Sequence, residues 1–191
     1  MTDAGLLLAA GAGRRMGRPK ALVSDERGGW LARAVDALAG CATVTVVLGA
    51  GAEEAVRLLG PYDVTVVVAT DWADGMGCSL AAGLRHLVDG EATRAVVSLV
   101  DLPDVGADVV RRVRAHPGRT ETLARATYLG HPGHPVLLGR DHWVGVLTTC
   151  TGDEGARAYL AAHDVTWVEC GDLASGQDVD RPPNPGPTAR A

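Results

Sequence analysis

The chain contains no phenylalanine, and all aromatic residues together make up only 4% of its 191 residues. Proteins that bind single-stranded nucleic acid stack the bases on aromatic side chains, so this composition disfavours that class of protein. The formal net charge of −5 also argues against a nucleic-acid-binding surface, which needs an excess of lysine and arginine. We therefore expect no nucleic-acid partner, and we expect an anionic ligand to be held by a local basic cluster.

Cysteine pairs and long apolar runs are missing as well. Cys41, Cys78, Cys150 and Cys170 are scattered and form no Cys-x-x-Cys motif, so the sequence indicates neither a zinc site nor a disulfide framework. No stretch approaches the roughly 20 apolar residues of a membrane span, and Gly11 interrupts the short apolar run that could resemble a signal peptide. These absences predict a cytoplasmic protein without a membrane partner.

Short β-branched runs alternate with segments of helical periodicity, which is typical of βαβ units and a mainly parallel sheet. We predict one domain over residues 1–180 and a disordered tail, rich in proline and glycine, over residues 181–191. The predicted strands are 4–10, 43–48, 64–69, 95–100, 122–128, 135–138 and 165–169, and the predicted helices are 30–38, 53–59, 79–88, 107–116, 140–147 and 154–163.

The first predicted strand runs into a loop, residues 11–20, that is rich in glycine and then in basic residues. Gly11 and Gly13 can adopt backbone angles closed to other residues, which lets successive N–H groups converge on an anion. Cations such as Arg15 and Lys20 add charge-assisted hydrogen-bond donors. The loop therefore predicts a phosphate site.

Two common nucleotide-binding motifs do not fit this loop. A Walker A motif ends in Gly-Lys-Ser/Thr, a tripeptide that the chain lacks. A dinucleotide-binding fingerprint needs a third glycine where Met16 stands, and an acidic residue about 20 positions further on. Asp36 lies at that distance but inside a predicted helix. The pattern therefore disfavours a NAD-dependent oxidoreductase.

Aspartates follow two other predicted strands. Asp101 begins an Asp-Leu-Pro turn after a buried strand, where a carboxylate suits a hard divalent cation. The alternative for Asp101 is a turn former or a helix N-cap, a role that Asp104 could also fill. Asp178 and Asp180 lie on one side of an extended segment after the last predicted strand. Because open parallel sheets bind ligands beyond the carboxyl ends of their strands, we expect these carboxylates near the glycine-rich loop.

Two further segments carry ligand-binding chemistry. Residues 75–79 read Gly-Met-Gly-Cys-Ser, which predicts Ser79 as the N-cap of a helix whose free N–H groups suit an anion. His131 and His134 are three residues apart, but the prolines that follow each of them prevent a helix that would align them on zinc. A shaped loop with His134 facing a ligand is favoured, and the alternative is a turn histidine bonded to the backbone.

Residues 8–20 read Leu-Ala-Ala-Gly-x-Gly-x-Arg-Met-Gly-x-Pro-Lys, a pattern that resembles the nucleotide loop of MobA-like nucleotidyltransferases. The Gly-His-Pro segment at 133–135 and the Gly-Asp-Glu-Gly-Ala-Arg segment at 152–157 resemble the molybdenum cofactor cytidylyltransferase branch in particular. The resemblance runs from Leu6 to about Asp180. It departs after the Asp-x-Asp, where this chain has Arg-Pro-Pro-Asn instead of the usual Thr-Pro-Glu-Asp.

The resemblance implies a fold and a set of site residues. The expected fold class is α/β, a three-layer α/β/α Rossmann-like sandwich of the nucleotide-diphospho-sugar transferase type, with one late strand antiparallel. The expected ion is Mg²⁺, held by Asp101 and Asp180. The expected catalytic residues are Arg15, Lys20 and Asp101; the nucleotide-binding residues are Leu8, Ala9, Ala10, Gly11, Gly13, Arg15, Lys20 and Ser79; and the acceptor-binding residues are Gly75, Met76 and His134.

The reaction implied by the resemblance is nucleotidyl transfer. A phosphorylated, molybdopterin-type cofactor would attack the α-phosphate of CTP, and pyrophosphate would leave. The alternatives are a guanylyltransferase that uses GTP, transfer to another small phosphorylated acceptor, and a non-catalytic nucleotide-binding maturation factor for a molybdoenzyme. A molybdoenzyme or its chaperone is the implied protein partner.

Overall fold

The structure is a computed structural model that describes residues 2–181. Most of the tail predicted over 181–191 lies outside the described residues. The strands are β1 (Asp3–Ala9), β2 (Ser24–Asp25), β3 (Gly28–Gly29), β4 (Thr43–Leu48), β5 (Thr65–Val68), β6 (Arg94–Leu99), β7 (Leu123–Tyr128), β8 (His131–Gly139) and β9 (Thr166–Glu169). The α-helices are α1 (Trp30–Leu38), α2 (Ala52–Leu59), α3 (Met76–Val88), α4 (Ala107–Arg114), α5 (Trp143–Thr149) and α6 (Arg157–Ala161).

Seven strands form one sheet in the order β5-β4-β1-β6-β8-β7-β9. β1 pairs in parallel with β4 on one side and with β6 on the other, whereas β8 runs antiparallel to both of its neighbours. The remaining pair, β2 and β3, forms a separate small hairpin. The prediction of a mainly parallel sheet with one late antiparallel strand is confirmed.

Alternating side chains of β1 divide the core between the two faces of the sheet. Leu7 and Ala9 pack on the face covered by α1, α2 and α4, whereas Leu6 and Leu8 pack on the face covered by α3, α5 and α6. A strand buried on both faces reads as a continuous apolar run, which is the pattern of this segment. The three-layer α/β/α arrangement follows. No helix in residues 2–181 has the length and apolar character to cross a membrane.

Helix α3 begins at Met76, three residues earlier than predicted, and the prediction of Ser79 as its N-cap is wrong. Gly75 occupies the N-cap position with a φ of 122°, a left-handed value that favours glycine. A Cβ on Gly77 would lie 3.0 Å from backbone atoms of Cys150 and Thr151. The close approach of that neighbouring segment fixes the start of the helix, so Ser79 lies inside the helix and is buried.

The two late helices are shorter than predicted. Residues 140–142 form a 3₁₀ turn before α5, and residues 152–154 form another before α6. Gly155 separates the 152–154 turn from α6, because its φ of 54° is left-handed and does not continue a helix. Each periodic segment therefore yields a turn followed by a short helix.

A buried ion cluster joins the start of β1 to β6 and α4. The Asp3 carboxylate accepts hydrogen bonds from Arg94 Nε and Nη2, at 2.7 and 2.9 Å, and from Arg114 Nε at 2.9 Å. Burial alone would raise the pKa of Asp3, but the hydrogen bonds and charges of the two arginines outweigh it and hold the pKa below 3.8. The cluster pairs one carboxylate with two guanidinium groups at the end of the sheet opposite the glycine-rich loop.

Asp3→Asn is expected to lower the free energy of unfolding by about 3–5 kcal/mol at pH 7, because it leaves buried guanidinium groups without their anion. The stabilisation by Asp3 is fully present well above pH 3.8 and is lost as the pH falls through the lower pKa of the folded state. The difference between wild type and variant in urea unfolding should therefore shrink in acid. Arg111→Gln is the control, since it removes an exposed ion pair with Asp108 and should cost about 1 kcal/mol or less.

Candidate functional site

A cleft of about 600 Å³ lies where β1 and β6 end side by side. Both strands are parallel, so the loops that follow them emerge at the same edge of the sheet. The backbone N–H of Val100 donates to the carbonyl of Leu8 at 3.2 Å, which keeps the two strand ends together. The residues lining the cleft are Leu8, Ala10, Gly11, Ala12, Gly13, Arg14, Arg15, Lys20, Trp72, Ala73, Gly75, Met76, Ser79, Leu99, Val100, Asp101, Asp153 and Asp180.

The glycine-rich loop turns tightly around Gly13. Its carbonyl accepts hydrogen bonds from the N–H groups of Met16 and Gly17, at 2.8 and 2.9 Å, and its φ is 59°. A Cβ at this position would lie 1.9 Å from the carbonyl oxygen of Arg18. The Met16 side chain is buried in the core and anchors the loop. Only glycine therefore fits position 13 without rearrangement of the loop.

Lys20 closes the loop with two short ion pairs. Its Nζ donates to Asp101 Oδ2 and to Asp180 Oδ1, both at 2.6 Å. Burial alone would lower the pKa of Lys20, but the hydrogen bonds and charges of the two aspartates outweigh it and raise the pKa. The Lys20 hydrogen bond, opposed by burial, lowers the pKa of Asp180, and Arg15 Nη1 adds an ion pair to Asp180 at 2.7 Å. One cation, Lys20, thus joins the two carboxylates, and a second cation, Arg15, lies beside Asp180.

Backbone and side-chain bonds hold the C-terminal segment against the turn after β6. The Val179 N–H donates to the carbonyl of Asp101 at 3.0 Å. The Asp104 carboxylate accepts from the N–H and the hydroxyl of Ser175, at 2.7 and 2.6 Å. Asp104 thus fixes the approach of the segment, while Asp101 faces the cleft.

Three carboxylates gather at this end of the cleft. One oxygen each of Asp101, Asp178 and Asp180 lies within 4.8 Å of the others. Oxygen-rich sets of this kind are suited to hard divalent cations. Within residues 2–181, no other group of three or more acidic, histidine or cysteine side chains is close enough to share an ion. Asp178, which the sequence offered beside Asp180 as a candidate second carboxylate, joins the pair that the resemblance favoured.

The structure brings most of the predicted site residues into the cleft. Ala9 is an exception, because its side chain is 2% exposed and packs in the core behind the cleft. Arg14, a cation of the predicted phosphate loop, also lines the cleft. Trp72 and Asp153 line it as well, although no binding role was predicted for them. Trp72 lies in the loop that leads to Gly75, and Asp153 belongs to the 152–157 segment already singled out. The predicted residues that do line the cleft are Leu8, Ala10, Gly11, Gly13, Arg15, Lys20, Gly75, Met76, Ser79, Asp101 and Asp180.

His134 lies in a second, smaller cavity of about 70 Å³ that shares Leu8 and Met76 with the main cleft. Burial and the charge of Arg125 lower the pKa of His134 to about 3, so its imidazole is neutral. Arg125 Nε donates to the carbonyl of Gly133 at 2.8 Å, and the Tyr128 hydroxyl donates to the carbonyl of His134. The segment that carries His134 is therefore fixed from both sides.

Gly13→Ala is expected to weaken the binding of inorganic tripolyphosphate about tenfold or more, because the new methyl group forces the loop N–H groups out of position. Isothermal titration calorimetry measures the effect. Gly17→Ala is the matched control, since Gly17 also has a positive φ, 80°, but a Cβ there meets nothing within 4 Å. Equal binding by the Gly13 variant and wild type would remove the loop geometry from phosphate recognition.

Solved structures share this architecture, a nucleotidyl transferase among them. A nucleotidyl transferase from Methanothermobacter thermautotroptrophicus, Mth528, superposes with a TM-score of 0.79 at 21% identity, covering 94% of this chain and 92% of that one. Rv0371C from Mycobacterium tuberculosis H37Rv, described as a complex with manganese, superposes with a TM-score of 0.70 at 29% identity, covering 94% of each chain. The fold is therefore that of known nucleotidyltransferases.

A curated relative and a family model also match most of the chain. Nicotine blue oxidoreductase of Paenarthrobacter nicotinovorans is 37% identical over 190 residues, covering 92% of this chain and 91% of the relative. The family model for the MobA-like NTP transferase domain matches residues 5–167. This match includes the glycine-rich loop and Asp101. The chain belongs to the MobA-like NTP transferase family.

Proposed function

We propose that the protein is a metal-dependent nucleotidyltransferase that transfers a nucleotide from CTP to a phosphorylated, pterin-type acceptor and releases pyrophosphate. The observation that carries the proposal is the meeting of Lys20 with Asp101 and Asp180, each 2.6 Å away, at the end of the glycine-rich loop. Phosphoryl chemistry depends on positioned cations and metal-binding carboxylates rather than on an acid and a base. This cleft contains both.

The N–H groups of the loop from Gly11 to Gly13 hold the triphosphate in this proposal, and Arg15 and Lys20 neutralise its charge. The two aspartates keep the ammonium of Lys20 charged and fixed beside the loop, so little reorganisation is needed when charge develops. The acceptor phosphate is ionised at neutral pH and attacks without a general base. Alignment of the two phosphates in the cleft supplies the rest of the rate enhancement.

The residues present fit a divalent ion. The carboxylate oxygens of Asp101, Asp178 and Asp180 lie close enough to share one cation, and a protein cation, Lys20, already bridges two of them. We propose Mg²⁺, held by Asp101 and Asp180 with Asp178 beside them. When bound, the ion neutralises phosphate charge and orients the reacting groups.

The choice of nucleotide and acceptor rests on the resemblance of the 133–135 and 152–157 segments to the cytidylyltransferase branch. GTP is the alternative nucleotide, and another small phosphorylated compound is the alternative acceptor. Gly75, Met76 and His134 are the proposed acceptor contacts, because the first two line the main cleft and His134 lines the adjoining cavity. A molybdoenzyme or its chaperone is the proposed recipient of the product. The alternative of another class is a non-catalytic maturation factor, which would bind a nucleotide in the cleft without releasing pyrophosphate.

The 37% identity to nicotine blue oxidoreductase supports a second candidate, an oxidoreductase. A reduced nicotinamide dinucleotide carries a diphosphate that the glycine-rich loop could hold. Against this candidate, the third glycine of a dinucleotide fingerprint is replaced by Met16, whose side chain is buried at the base of the loop. We therefore rank it second.

Asp101→Asn and Lys20→Ala are each expected to lower kcat about 10²–10³-fold, since each removes a charge positioned for the transition state. Pyrophosphate release in the presence of Mg²⁺ measures the effect. Asp108→Asn is the control, because its exposed side chain pairs with Arg111 on α4 and does not line the cleft. Wild-type rates in either site variant would remove that residue from the proposed mechanism.

Pyrophosphate release with CTP, GTP, ATP and UTP in turn, with and without molybdopterin, separates the candidate functions. Release that requires the acceptor and prefers CTP is expected, and a preference for GTP would instead assign the guanylyl reaction. Oxidation of NADH or NADPH with nicotine blue, without pyrophosphate release from any triphosphate, would establish the oxidoreductase. Nucleotide binding without either activity would favour the maturation factor.

A further inference from the structure

The smaller cavity beside the main cleft combines apolar walls with unusual charge. Arg125 from β7 and Arg157 from α6 both line it, together with His134 and Glu154. The remaining walls are apolar side chains of β1, α3, β6, β8 and α6, together with Gly155 and Ala156 from the turn before α6. Arg125 is half-buried there and Arg157 is exposed, so an anion bound between them would offset the desolvation of the Arg125 guanidinium.

Neither arginine has a carboxylate partner within the described residues 2–181. Arg125 is half-buried and uses its Nε to donate to the carbonyl of Gly133 at 2.8 Å, while its two terminal nitrogens make no hydrogen bond to this described part of the chain. Burial and then the neighbouring charge of Arg157 lower the pKa of Arg125. The fold thus holds two like charges side by side.

The other polar groups of the cavity do not neutralise this charge. Glu154 is exposed and forms no ion pair with Arg125 or Arg157 in the structure of residues 2–181. His134 is neutral, and its ring can donate or accept one further hydrogen bond. The cavity is therefore lined by two guanidinium groups and a neutral imidazole.

We propose that this cavity binds a small oxyanion, a carboxylate or a second phosphate, that the acceptor carries in addition to the phosphate that reacts. A guanidinium group matches the geometry of such an oxyanion through two parallel N–H donors. At about 70 Å³ the cavity has room for one functional group, roughly two water volumes, and not for a ring system. This inference rests on the proposed transfer reaction, and it selects the alternative acceptor given there, a small phosphorylated compound, because molybdopterin carries one phosphate and no carboxylate.

The position of the cavity relates the oxyanion to the reaction. Leu8 and Met76 line both the cavity and the main cleft. A ligand group in the cavity would therefore lie next to the cleft in which the nucleotide is proposed to bind. An acceptor anchored at Arg125 and Arg157 is thereby held at one end while its other phosphate lies in the cleft. The arginine pair would select acceptors with two separated anionic groups.

Titration with formate, and separately with inorganic phosphate, tests the anion site in the ¹⁵N-labelled full chain. The Nε–H resonances of Arg125 and Arg157, identified from the spectra of Arg125→Gln and Arg157→Gln, are expected to shift and saturate. In Arg157→Gln the midpoint for the Arg125 resonance should rise about tenfold, the effect of removing one charge-assisted hydrogen-bond partner. The stronger response assigns the source: formate indicates a carboxylate and phosphate indicates a phosphorylated group.

Arg57→Gln is the control, since Arg57 is exposed on α2 at the other end of the sheet. The control should leave both midpoints unchanged. The proposal is overturned if neither resonance shifts at concentrations that saturate the glycine-rich loop, or if Arg157→Gln leaves the Arg125 midpoint unaltered. If Arg125→Gln fails to fold because it loses its bond to Gly133, the Arg157 resonance, identified from Arg157→Gln, still reports whether the anion binds. Pyrophosphate release is measured separately, so its absence would reject nucleotidyl transfer without altering the anion result.

Discussion

The ammonium group of Lys20 is the contact on which the site depends. It joins Asp101 and Asp180, which stand 81 and 160 positions further along the chain, through two bonds of 2.6 Å. Without a cation, carboxylates as close as those of Asp101, Asp178 and Asp180 would repel one another. Lys20 pairs with two of them, so the same contact offsets this repulsion and closes the loop.

The topology of the sheet explains why these distant segments meet. β1 and β6 are parallel neighbours, so the glycine-rich loop and Asp101 emerge at one edge. The antiparallel strand β8 also contributes to this edge of the sheet. Val97 of β6 pairs with Val136 of β8, and continuing this antiparallel register places His134 level with Leu99. Reversal therefore brings the beginning of β8, rather than its end, to the ligand side of the sheet.

The glycine-rich loop and Asp101 could be predicted from the residue types at the strand ends, whereas Asp180 was chosen over Asp178 through the family resemblance. The sheet was predictable because its strands are buried on both faces. Features that depend on contacts between distant segments were not. Ser79 has the chemistry of an N-cap, but the approach of residues 150–153 to Gly75 and Gly77 moved the start of α3. The same kind of contact places Trp72 in the cleft and His134 in a separate cavity.

The bond from Val179 to the carbonyl of Asp101 ties the segment after the last strand to the turn after β6. Every strand of the central sheet lies before residue 170, whereas Asp180, with one of the two bonds to Lys20, comes after it. The sheet and the complete charged cluster are therefore specified by different parts of the chain. A change within residues 170–180 can alter the cluster while every strand pairing of the sheet is kept.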